Sequence, residues 1–326
     1  MKVTSANIRM WSRLGQRGAF FGIAMPEIAD SVDNLKLVTA DLALLSGMDR
    51  FRASHPDKFL NVGIAEQNMI GISSGLAMDG HCVFATTYSS FIAVRSLEHV
   101  RQHLAHMRSN VKIVGSAAGV VAAKSGISHW ATEDLAFTRV LPNLEVYSAA
   151  DSLEAIKIAQ YAASNNKPMY IRLSGGLNCP VVYKEDYDFV PGKLVELCKG
   201  EDIAVIATGL MVAESLKAAD YLKEKGINCS VYNMHTIKPL DKEKLNEIFK
   251  NNKLIVTVEE HNVLGGMGSA VAEYKATLDS TPKQIFIGMQ DHYAEAGSPR
   301  FVWEQLGLTA QKIADRIIGE IEGTND

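Results

Sequence analysis

A glutamate, two aromatic residues and a histidine are the side chains best placed to do chemistry in this sequence. Residues 61–69 read Asn-Val-Gly-Ile-Ala-Glu-Gln-Asn-Met and bring Glu66 onto the first turn of an otherwise apolar helix. A carboxyl in a poorly hydrated setting favours its protonated form, so Glu66 can exchange a proton with a bound ligand. The ordinary alternative is an acid that is simply stabilised by the positive end of the helix dipole.

Tyr88, Phe91 and His129 could complete a site around this carboxyl. Tyr88 and Phe91 are three residues apart at the start of a helical run, a spacing that is also typical of core aromatics. Beside a buried acid, two rings form a pocket for a flat heterocycle. His129 follows a loop of small residues, 125–128, where a histidine is often only solvated or capping. Imidazole titrates near neutral pH, so His129 is also suited to proton transfer.

The composition argues against several classes of function. The 33 basic and 37 acidic residues nearly cancel, so no charge pattern points to nucleic acid or to an anionic membrane. The four cysteines lack CxxC spacing, which argues against a zinc site and a disulfide framework and fits a reducing cytoplasm. Residues 1–17 hold no apolar signal segment, and no run of about 18 apolar residues could span a membrane. We therefore expect a cytoplasmic protein.

The elements that must position these residues alternate between strands and helices. The first part of the chain predicts strands at 35–40, 82–86, 111–115, 144–148 and 168–173 and helices at 65–79, 89–107, 131–140 and 152–164. Such alternation predicts a parallel sheet with helices on both faces. Ligands bind at the carboxyl ends of the strands in these sheets, where Asp41, Tyr88 and the loop before His129 would lie. Residues 19–29 are predicted to form helical segments that pack on this domain.

A second alternation follows a stretch rich in proline, glycine and acidic residues between Pro180 and Lys193, which we predict to be a linker. Beyond it the pattern predicts strands at 203–208, 228–232, 254–259 and 284–288, and helices at 210–225, 241–250, 266–278 and from about Thr309. The chain is therefore expected to be an α/β protein with two doubly wound domains, residues 1–185 and the smaller 186–326.

Four separated motifs give a resemblance to a known family. They are residues 61–69, Tyr-Ser-Ser-Phe at 88–91, Gly-Ile-Ser-His at 126–129 and Val-Glu-Glu-His-Asn-Val-Leu-Gly-Gly-Met-Gly at 258–268. From about Leu35 to its end the chain resembles the C-terminal half of a transketolase, and most closely the small subunit of the split transketolases. The resemblance implies a pyrimidine-binding domain followed by a transketolase C-terminal domain, and chemistry that depends on thiamine diphosphate.

The resemblance also implies roles for individual residues. In transketolases the glutamate at the position of Glu66 hydrogen-bonds N1′ of the aminopyrimidine and thereby promotes removal of the proton from thiazolium C2. Tyr88 and Phe91 match the aromatics that enclose the aminopyrimidine, and His129 matches a histidine that faces the substrate hydroxyls. Asp41, which would otherwise be a cap or turn residue, matches an aspartate near the cofactor. The motif at 258–268 is implied to be structural, with the framework or interface groups Glu259, Glu260 and His261.

Three departures from the family concern sugar recognition. Ser125 replaces an aspartate that recognises a donor hydroxyl, Ala117 replaces a histidine found in many members, and Gly175 replaces an arginine that commonly binds the sugar phosphate. A missing arginine removes the natural bidentate partner of a phosphate. We therefore expect an unusual ketose that is branched, modified or carries another anionic group, unless recognition has moved to a partner subunit. The expected substrate-binding residues are Ser125, His129, Lys124 and Arg172, the last two as replacements for the lost charge.

One motif that a complete thiamine enzyme needs is missing. No Gly-Asp-Gly segment occurs in the chain, whereas in the family this segment and a later asparagine hold divalent magnesium and the cofactor diphosphate through hard oxygen ligands. The resemblance therefore implies that this chain supplies no metal ligand and is inactive alone. The expected partner is an N-terminal transketolase subunit that carries this motif, most simply in a heterotetramer with two copies of each subunit.

Other functions stay open at this point. One enzyme alternative is a fragment of 1-deoxyxylulose-5-phosphate synthase, which normally comes as one long chain with its own metal motif. Another is a 2-oxoacid dehydrogenase β subunit, which has different loops around the histidine. The non-enzyme alternative is a scaffold that keeps the fold and binds a partner. The combination of Glu66, Tyr88 and Phe91 argues against a scaffold, because burying an acid without a chemical use is costly.

Overall fold

Helices and strands alternate through residues 1–323, the part of the chain that the computed structural model describes. The helices are α1 Ser5–Arg17, α2 Met25–Ser31, α3 Asp49–Ser54, α4 Glu66–Met78, α5 Leu97–His99, α6 Asp134–Arg139, α7 Ser152–Ser164, α8 Met211–Glu224, α9 Lys242–Asn251, α10 Met267–Lys275, α11 Pro299–Gln305 and α12 Ala310–Glu322. The strands are β1 Leu35–Thr39, β2 Phe59–Asn61, β3 Cys82–Tyr88, β4 Val111–Ser116, β5 Glu145–Ser148, β6 Met169–Leu173, β7 Val195–Cys198, β8 Asp202–Ala207, β9 Cys229–Asn233, β10 Thr236–Lys238, β11 Asn252–Asn262 and β12 Lys283–Met289. Residues Gly18–Ala24, Phe91–Arg95 and Val100–His106 are π-helical, and Pro56–Lys58 and Ala123–Ser125 are 3₁₀ turns.

The strands form two mainly parallel sheets. The first has the order β10-β5-β6-β4-β3-β1-β2 and the second has the order β12-β11-β8-β9-β7. In each sheet only an edge strand, β10 or β7, runs antiparallel to its neighbour. Strands β4 and β6 are buried along their whole length because helices cover both faces of the sheet. These sheets confirm the prediction of two α/β domains.

The strands predicted within the two alternations are present, and the main differences are elements that were not predicted. No strand was predicted at β2, β7 or β10, and no helix was predicted at the 13-residue α1 or at the short α3 and α11. The predicted helix 89–107 is divided into two π-helical segments around α5. Strand β10 follows β9 in the second half of the chain but pairs with β5 of the first sheet, Thr236 opposite Tyr147. The two halves of the chain are therefore joined by hydrogen bonds as well as by packing.

The N-terminal segment is part of the first domain's core, as the prediction for residues 19–29 required. Trp11 of α1 and Phe20 and Phe21 of the following π-helical segment are buried. Gly15 has a φ of 74°, and a Cβ there would lie 2.1 Å from the backbone oxygen of Gly176. Only glycine permits this approach, which brings the end of α1 against the loop that follows β6.

The two domains also share apolar packing. One core cluster combines Leu135 and Val146 of the first domain with Ile206 and Ile255 of the second. The domains therefore pack as one body, and residues of the second can influence loops of the first. None of the helices within residues 1–323 is long and apolar enough to cross a membrane.

Candidate active site

The predicted site residues of the first domain follow neighbouring parallel strands. Asp41 lies just beyond β1, Glu66 begins the helix that follows β2, and Tyr88 ends β3. The register places Thr39 opposite both Asn61 and Thr86, so these strands end side by side. The carboxyl edge of the first sheet thus brings the three segments together, as expected for a ligand site in a parallel sheet.

A hydrogen-bonded turn between β2 and α4 positions Glu66. The Asn61 side-chain oxygen accepts from the backbone N–H groups of Asp41 and Gly63, both at 3.0 Å. The Asn61 side-chain N–H donates to Asp41 Oδ1 at 3.1 Å. Asp41 is exposed and has a φ of 59°. Its observed contacts are therefore those of a turn residue, and the expected contact with a cofactor stays a prediction.

Glu66 is buried, with 4% of its surface exposed, but it is not isolated. Arg95 Nη1 donates to Glu66 Oε1 at 2.8 Å, although Arg95 itself is about half exposed. The guanidinium carbon of Arg95 also lies 4.1 Å from the centre of the Phe91 ring. Glu66 therefore has little contact with water, as the sequence predicts, but its setting is not wholly apolar because a cation pairs with the carboxylate.

Arg95 was missed in the sequence analysis. Phe91 and Arg95 bound one π-helical segment, whose wider turn brings side chains four to five residues apart onto one face. The sequence signal was a basic residue four positions after Phe91, a candidate stacking aromatic. No role was assigned to it because residues 89–107 were assumed to form a regular helix. The structure places Arg95 in contact with two of the predicted cofactor residues.

Tyr88, Phe91 and His129 form a cluster of three rings. The ring centroids of Tyr88 and His129 are 5.5 Å apart, and Phe91 lies 5.6 Å from each of the other two. All three pairs meet edge to face, a favourable arrangement for aromatic rings. The structure therefore brings His129 to the aromatic pair from a loop more than 35 residues further along the chain.

The loop that carries His129 borders an open cavity of about 410 Å³. Phe91 and Arg95 line one side of this cavity, and Ile127 and Ser128 line another. Lys124 and Ser125 lie on the same loop and are exposed, so they are free to meet a ligand from solvent. Ser128 Oγ and His129 Nδ1 are 2.9 Å apart, which orients the imidazole.

Arg172 does not reach this cavity and is withdrawn as a substrate-binding residue. Only 1% of its surface is exposed. Its Nε donates to Asp134 Oδ2 at 2.8 Å, and its Nη2 donates to the backbone oxygens of Ala131 and Glu260 at 3.2 and 2.9 Å. The prediction rested on its place near a strand end, but strand β6 turns this side chain into the domain interface. A buried arginine with these partners is structural.

The structure explains why no side chain is present at Gly175. A Cβ there would lie 2.7 Å from Cys179 Sγ and from Gln16 Cδ. Gln16, at the end of α1, accepts a hydrogen bond from the Gly175 N–H at 2.7 Å and donates one to Ala149 O at 2.8 Å. A side chain at this position would force the buried Gln16 and Cys179 side chains to move and would disturb the hydrogen bonds of Gln16.

A second arginine that the sequence analysis did not single out lies near the ring cluster. Arg17 follows Gln16 at the end of α1 and is partly buried. Burial lowers the pKa of Arg17, and the hydroxyl of Tyr88 is near enough to raise it in part. Within residues 1–323, no carboxylate forms an ion pair with Arg17, so its charge is available to an anion. The only sequence signal was a lone arginine before an apolar run.

Metal ligands are not grouped in the described chain. Residues 1–323 contain no group of three or more histidine, cysteine, aspartate or glutamate side chains that could hold a metal ion. The cysteines Cys82, Cys179, Cys198 and Cys229 are free thiols.

A buried acid and aromatic rings at the carboxyl edge of a parallel sheet are typical of ligand-binding α/β proteins. Family models define the class more closely. The model of the transketolase pyrimidine-binding domain matches residues 17–179. The model of the transketolase C-terminal domain matches residues 192–313. Together they cover most of the chain, which therefore belongs to the transketolase family.

Similar proteins include subunits of split transketolases. A 6-deoxy-6-sulfo-D-fructose transketolase subunit from Clostridium sp. is 36% identical, with 88% of each chain covered. A subunit of an apulose-4-phosphate transketolase from Actinobacillus succinogenes is 34% identical over 89% of this chain and 90% of the relative. A solved structure described as a split gene transketolase, inactive β4 tetramer, superposes with a TM-score of 0.85 at 37% identity, covering 93% of this chain and 96% of that one.

Proposed function

We propose that this chain is the pyrimidine-binding subunit of a heteromeric transketolase that transfers a two-carbon ketol unit from a ketose to an aldose. The observation that carries the proposal is a connected group of side chains in a chain of the transketolase family. Arg95 contacts both Glu66 and Phe91, and the Phe91 ring contacts His129. A buried carboxyl, a ring face and a titratable imidazole are the groups that cofactor activation and sugar chemistry require.

The residues at the sheet edge fit the aminopyrimidine of thiamine diphosphate. Glu66 has a second carboxylate oxygen beyond the one that Arg95 holds, and a Cβ at Gly63 would meet nothing within 4 Å. The half-buried rings of Tyr88 and Phe91 offer apolar faces. When bound, thiamine diphosphate supplies a nucleophilic carbon and stabilises the negative charge left after the ketose bond breaks. Glu66 would hold a proton at N1′, and His129 would move one at the sugar hydroxyls.

Arg95 must change its contacts when the cofactor binds. It occupies one oxygen of Glu66 and lies on the Phe91 ring, and a flat heterocycle held by the same two side chains needs both. A guanidinium is itself flat and donates through N–H groups in one plane, so it resembles the aminopyrimidine in shape and hydrogen bonding. Arg95 therefore acts as a placeholder that the cofactor displaces.

A partner subunit is expected to complete the site. The chain has no Gly-Asp-Gly segment, so magnesium and the cofactor diphosphate would be held mainly by an N-terminal transketolase subunit. The relative described as an inactive β4 tetramer supports this view, because it is said to be inactive in a form that contains only one kind of subunit. We propose a heterotetramer with two copies of each subunit, located in a cytoplasm that keeps the four cysteines reduced.

The residues expected to contact the substrate support an unusual, anionic ketose as the donor. Gly175 stands where the family commonly has the arginine that binds the sugar phosphate, and a side chain there has no free space. Arg17 near Tyr88 and the exposed Lys124 instead offer positive charge at the edge of the site. Ser125 and His129 would contact sugar hydroxyls. The names of two relatives refer to 6-deoxy-6-sulfo-D-fructose and to apulose 4-phosphate, and both of these sugars carry an anionic group.

The test is purification of the tagged chain from its native host, followed by an assay of the recovered complex with thiamine diphosphate and magnesium. Sulfonated, branched and ordinary phosphorylated ketoses are compared as donors, with their uncharged forms as matched controls. The proposal predicts transfer only when a second subunit co-purifies, and the best donor should be anionic and modified. Ordinary xylulose 5-phosphate performing as well as any other donor would contradict the substrate assignment.

Two further assays distinguish the proposed function from the alternative functions. Pyruvate is offered as donor, because decarboxylation of pyruvate would indicate a 1-deoxyxylulose-5-phosphate synthase or a 2-oxoacid dehydrogenase instead. The chain is also assayed without its partner, and activity in that form would contradict the need for a second subunit. A complex that binds neither thiamine diphosphate nor sugar would leave only the scaffold function.

A further inference from the structure

Residues 119–131, called here the substrate loop, are closed at their base within the first domain. The backbone groups of Gly119 and Ala131 exchange two hydrogen bonds, N–H to oxygen, at 2.9 and 3.0 Å. The loop between them carries three of the four expected substrate residues, Lys124, Ser125 and His129, and its residues Ile127, Ser128 and Trp130 line the cavity. The position of this base therefore sets where His129 meets the rings of Tyr88 and Phe91.

A buried carboxylate of the second domain holds the base of the substrate loop. Glu260 lies in β11 and is 1% exposed. Its Oε1 accepts from the backbone N–H of Val120 at 3.2 Å and from Trp303 Nε1 at 2.7 Å. Gly119 fits directly against the same carboxylate, because a Cβ at Gly119 would lie 2.2 Å from Glu260 Oε2. The carboxylate thus fixes two consecutive residues of the loop.

The apolar side chains of the substrate loop belong to the core of the second domain. Val120, Ala123 and Trp130 are buried in the cluster that contains Val256 and Val302. Helix α11, which carries Trp303, also packs on the 3₁₀ turn at Ala123–Ser125. The first domain alone therefore could not bury these three side chains completely.

The chain that leaves the loop is held by the same strand. Asn262 donates its backbone N–H to Thr132 O at 2.7 Å, and His261 Nε2 accepts from Leu135 N at 3.2 Å. Arg172 links the end of the loop to strand β11, since it donates to Ala131 O and to Glu260 O. Both ends of the substrate loop are thus attached to the Glu260–His261 segment.

From these contacts we infer that the second domain takes part in catalysis by holding the substrate loop, with Glu260 as the positioning residue for His129. The inference rests on the proposed function for its catalytic part, whereas the loop contacts are independent of it. Glu260 touches no expected substrate or cofactor group; it acts through Val120 and Trp303. Its loss should therefore affect sugar binding more than cofactor binding.

Three variants of the full chain test this inference by hydrogen exchange. Glu260→Leu leaves the N–H groups of Val120 and Trp303 without an acceptor, whereas Glu260→Gln keeps a side-chain oxygen for both. Glu273→Gln is the matched control, because Glu273 pairs with Arg139 across the same domain interface but away from the loop. Exchange is followed by mass spectrometry in peptides that cover residues 119–131.

Glu260→Leu should raise the exchange rate of the loop by about tenfold, since buried donors without partners open more often. Glu260→Gln and Glu273→Gln should stay near the wild-type rate. If Glu260→Leu does not fold, Trp303→Phe removes one donor and keeps an aromatic ring, with an expected rise of about threefold. Loop exchange in Glu260→Leu or Trp303→Phe that matches the Glu273→Gln control would overturn the inference.

Kinetics of the reconstituted complex test the catalytic part. Glu260→Leu should raise the KM for the donor ketose by about tenfold, leave the affinity for thiamine diphosphate unchanged, and be rescued by Glu260→Gln. A general loss of stability would instead lower both affinities together. Unchanged donor KM in Glu260→Leu would overturn the positioning role. Wild-type complex without any thiamine-dependent transfer would overturn the proposed function and this catalytic part, while the exchange result would still decide the loop contacts.

Discussion

The cofactor side and the substrate side of the candidate site are built in different ways. Glu66, Tyr88 and Phe91 come from one stretch of 26 residues in the first domain, on α4, β3 and the following π-helical segment. The substrate loop belongs to the same domain in sequence but is held by Glu260 and Trp303 of the second. In the proposed function, a local motif specifies cofactor activation, whereas the loop assigned to sugar recognition is held by residues more than 100 positions away.

The largest expected effect is on the cofactor side. Glu66→Gln keeps the size of the side chain but removes its titrating group, so turnover of the reconstituted complex should fall by about 10²–10⁴-fold. Steady-state transfer with the preferred ketose measures the loss, and circular dichroism checks that the fold is retained. Near-normal turnover would show that Glu66 has no catalytic role and would contradict the function proposed for the cofactor side.

Arg172→Met tests whether the cation next to the substrate loop is structural. Removing one partner of a buried ion pair leaves Asp134 uncompensated, so the free energy of unfolding should fall by about 3–5 kcal/mol. Lys167→Met is the control, since Lys167 pairs with Glu145 from an exposed position and should cost less than about 1 kcal/mol. Urea unfolding of both variants measures the difference, and equal losses would contradict the structural role.

His129→Asn separates sugar chemistry from cofactor binding. The asparagine keeps a polar side chain but cannot transfer a proton, so kcat should fall by about 10²-fold while the affinity for thiamine diphosphate is unchanged. Calorimetry and steady-state kinetics on the same complex give the two values. A parallel loss of cofactor affinity would place His129 on the cofactor side and remove the distinction between the two regions.

Arg95→Ala should strengthen cofactor binding. The side chain that holds Glu66 and covers Phe91 is then absent, so the Kd of thiamine diphosphate for the complex should fall by about tenfold. Arg101→Ala is the control, because Arg101 is an exposed arginine in the next π-helical segment. Weaker cofactor binding in Arg95→Ala would mean that Arg95 supports the bound cofactor, contrary to the placeholder role.

The smallest expected effect is on the pH dependence of stability, and it arises from Glu260, which holds the substrate loop. Burial raises the pKa of Glu260 to about 7, above the ordinary value of about 4.3 for an unfolded chain. Between these values the folded chain binds an extra proton, so its stability falls as the pH rises towards 7. Glu260→Gln does not titrate, and its stability relative to wild type should therefore increase from about pH 5 to about pH 8. A decrease over that range would contradict this assignment.

Sequence reasoning predicted the two sheets because their signal is local, since alternating strands and helices indicate parallel sheets. Glu66, Tyr88 and Phe91 were singled out by residue type and by the family motifs, and their cofactor roles stay predictions. Strand β10 could not be predicted, because three residues carry no pattern and their partner β5 lies about 90 positions earlier. Arg172 was misassigned for a similar reason, since its partner Asp134 and the burying domain are remote in sequence.

The contacts of Arg95 and of the substrate loop could not be predicted from the sequence either. A regular helical period was assumed for residues 89–107, whereas the π-helical segment turns Arg95 onto Phe91 and Glu66. Ser125 was singled out as a departure from the family and Lys124 as a replacement for the lost charge, but nothing local to them indicates the carboxylate of Glu260. Contacts of this kind arise from packing between domains and become visible only in the folded chain.

The role of Glu66 is tested most directly by measuring how fast the C2 proton of thiamine diphosphate exchanges with deuterium in the reconstituted complex. We expect rapid exchange with the wild-type chain and exchange near that of the free cofactor with Glu66→Gln, while both complexes still bind the cofactor. This readout requires no knowledge of the sugar substrate. Equal exchange rates in the two complexes would contradict the claim that this chain supplies the activating carboxyl.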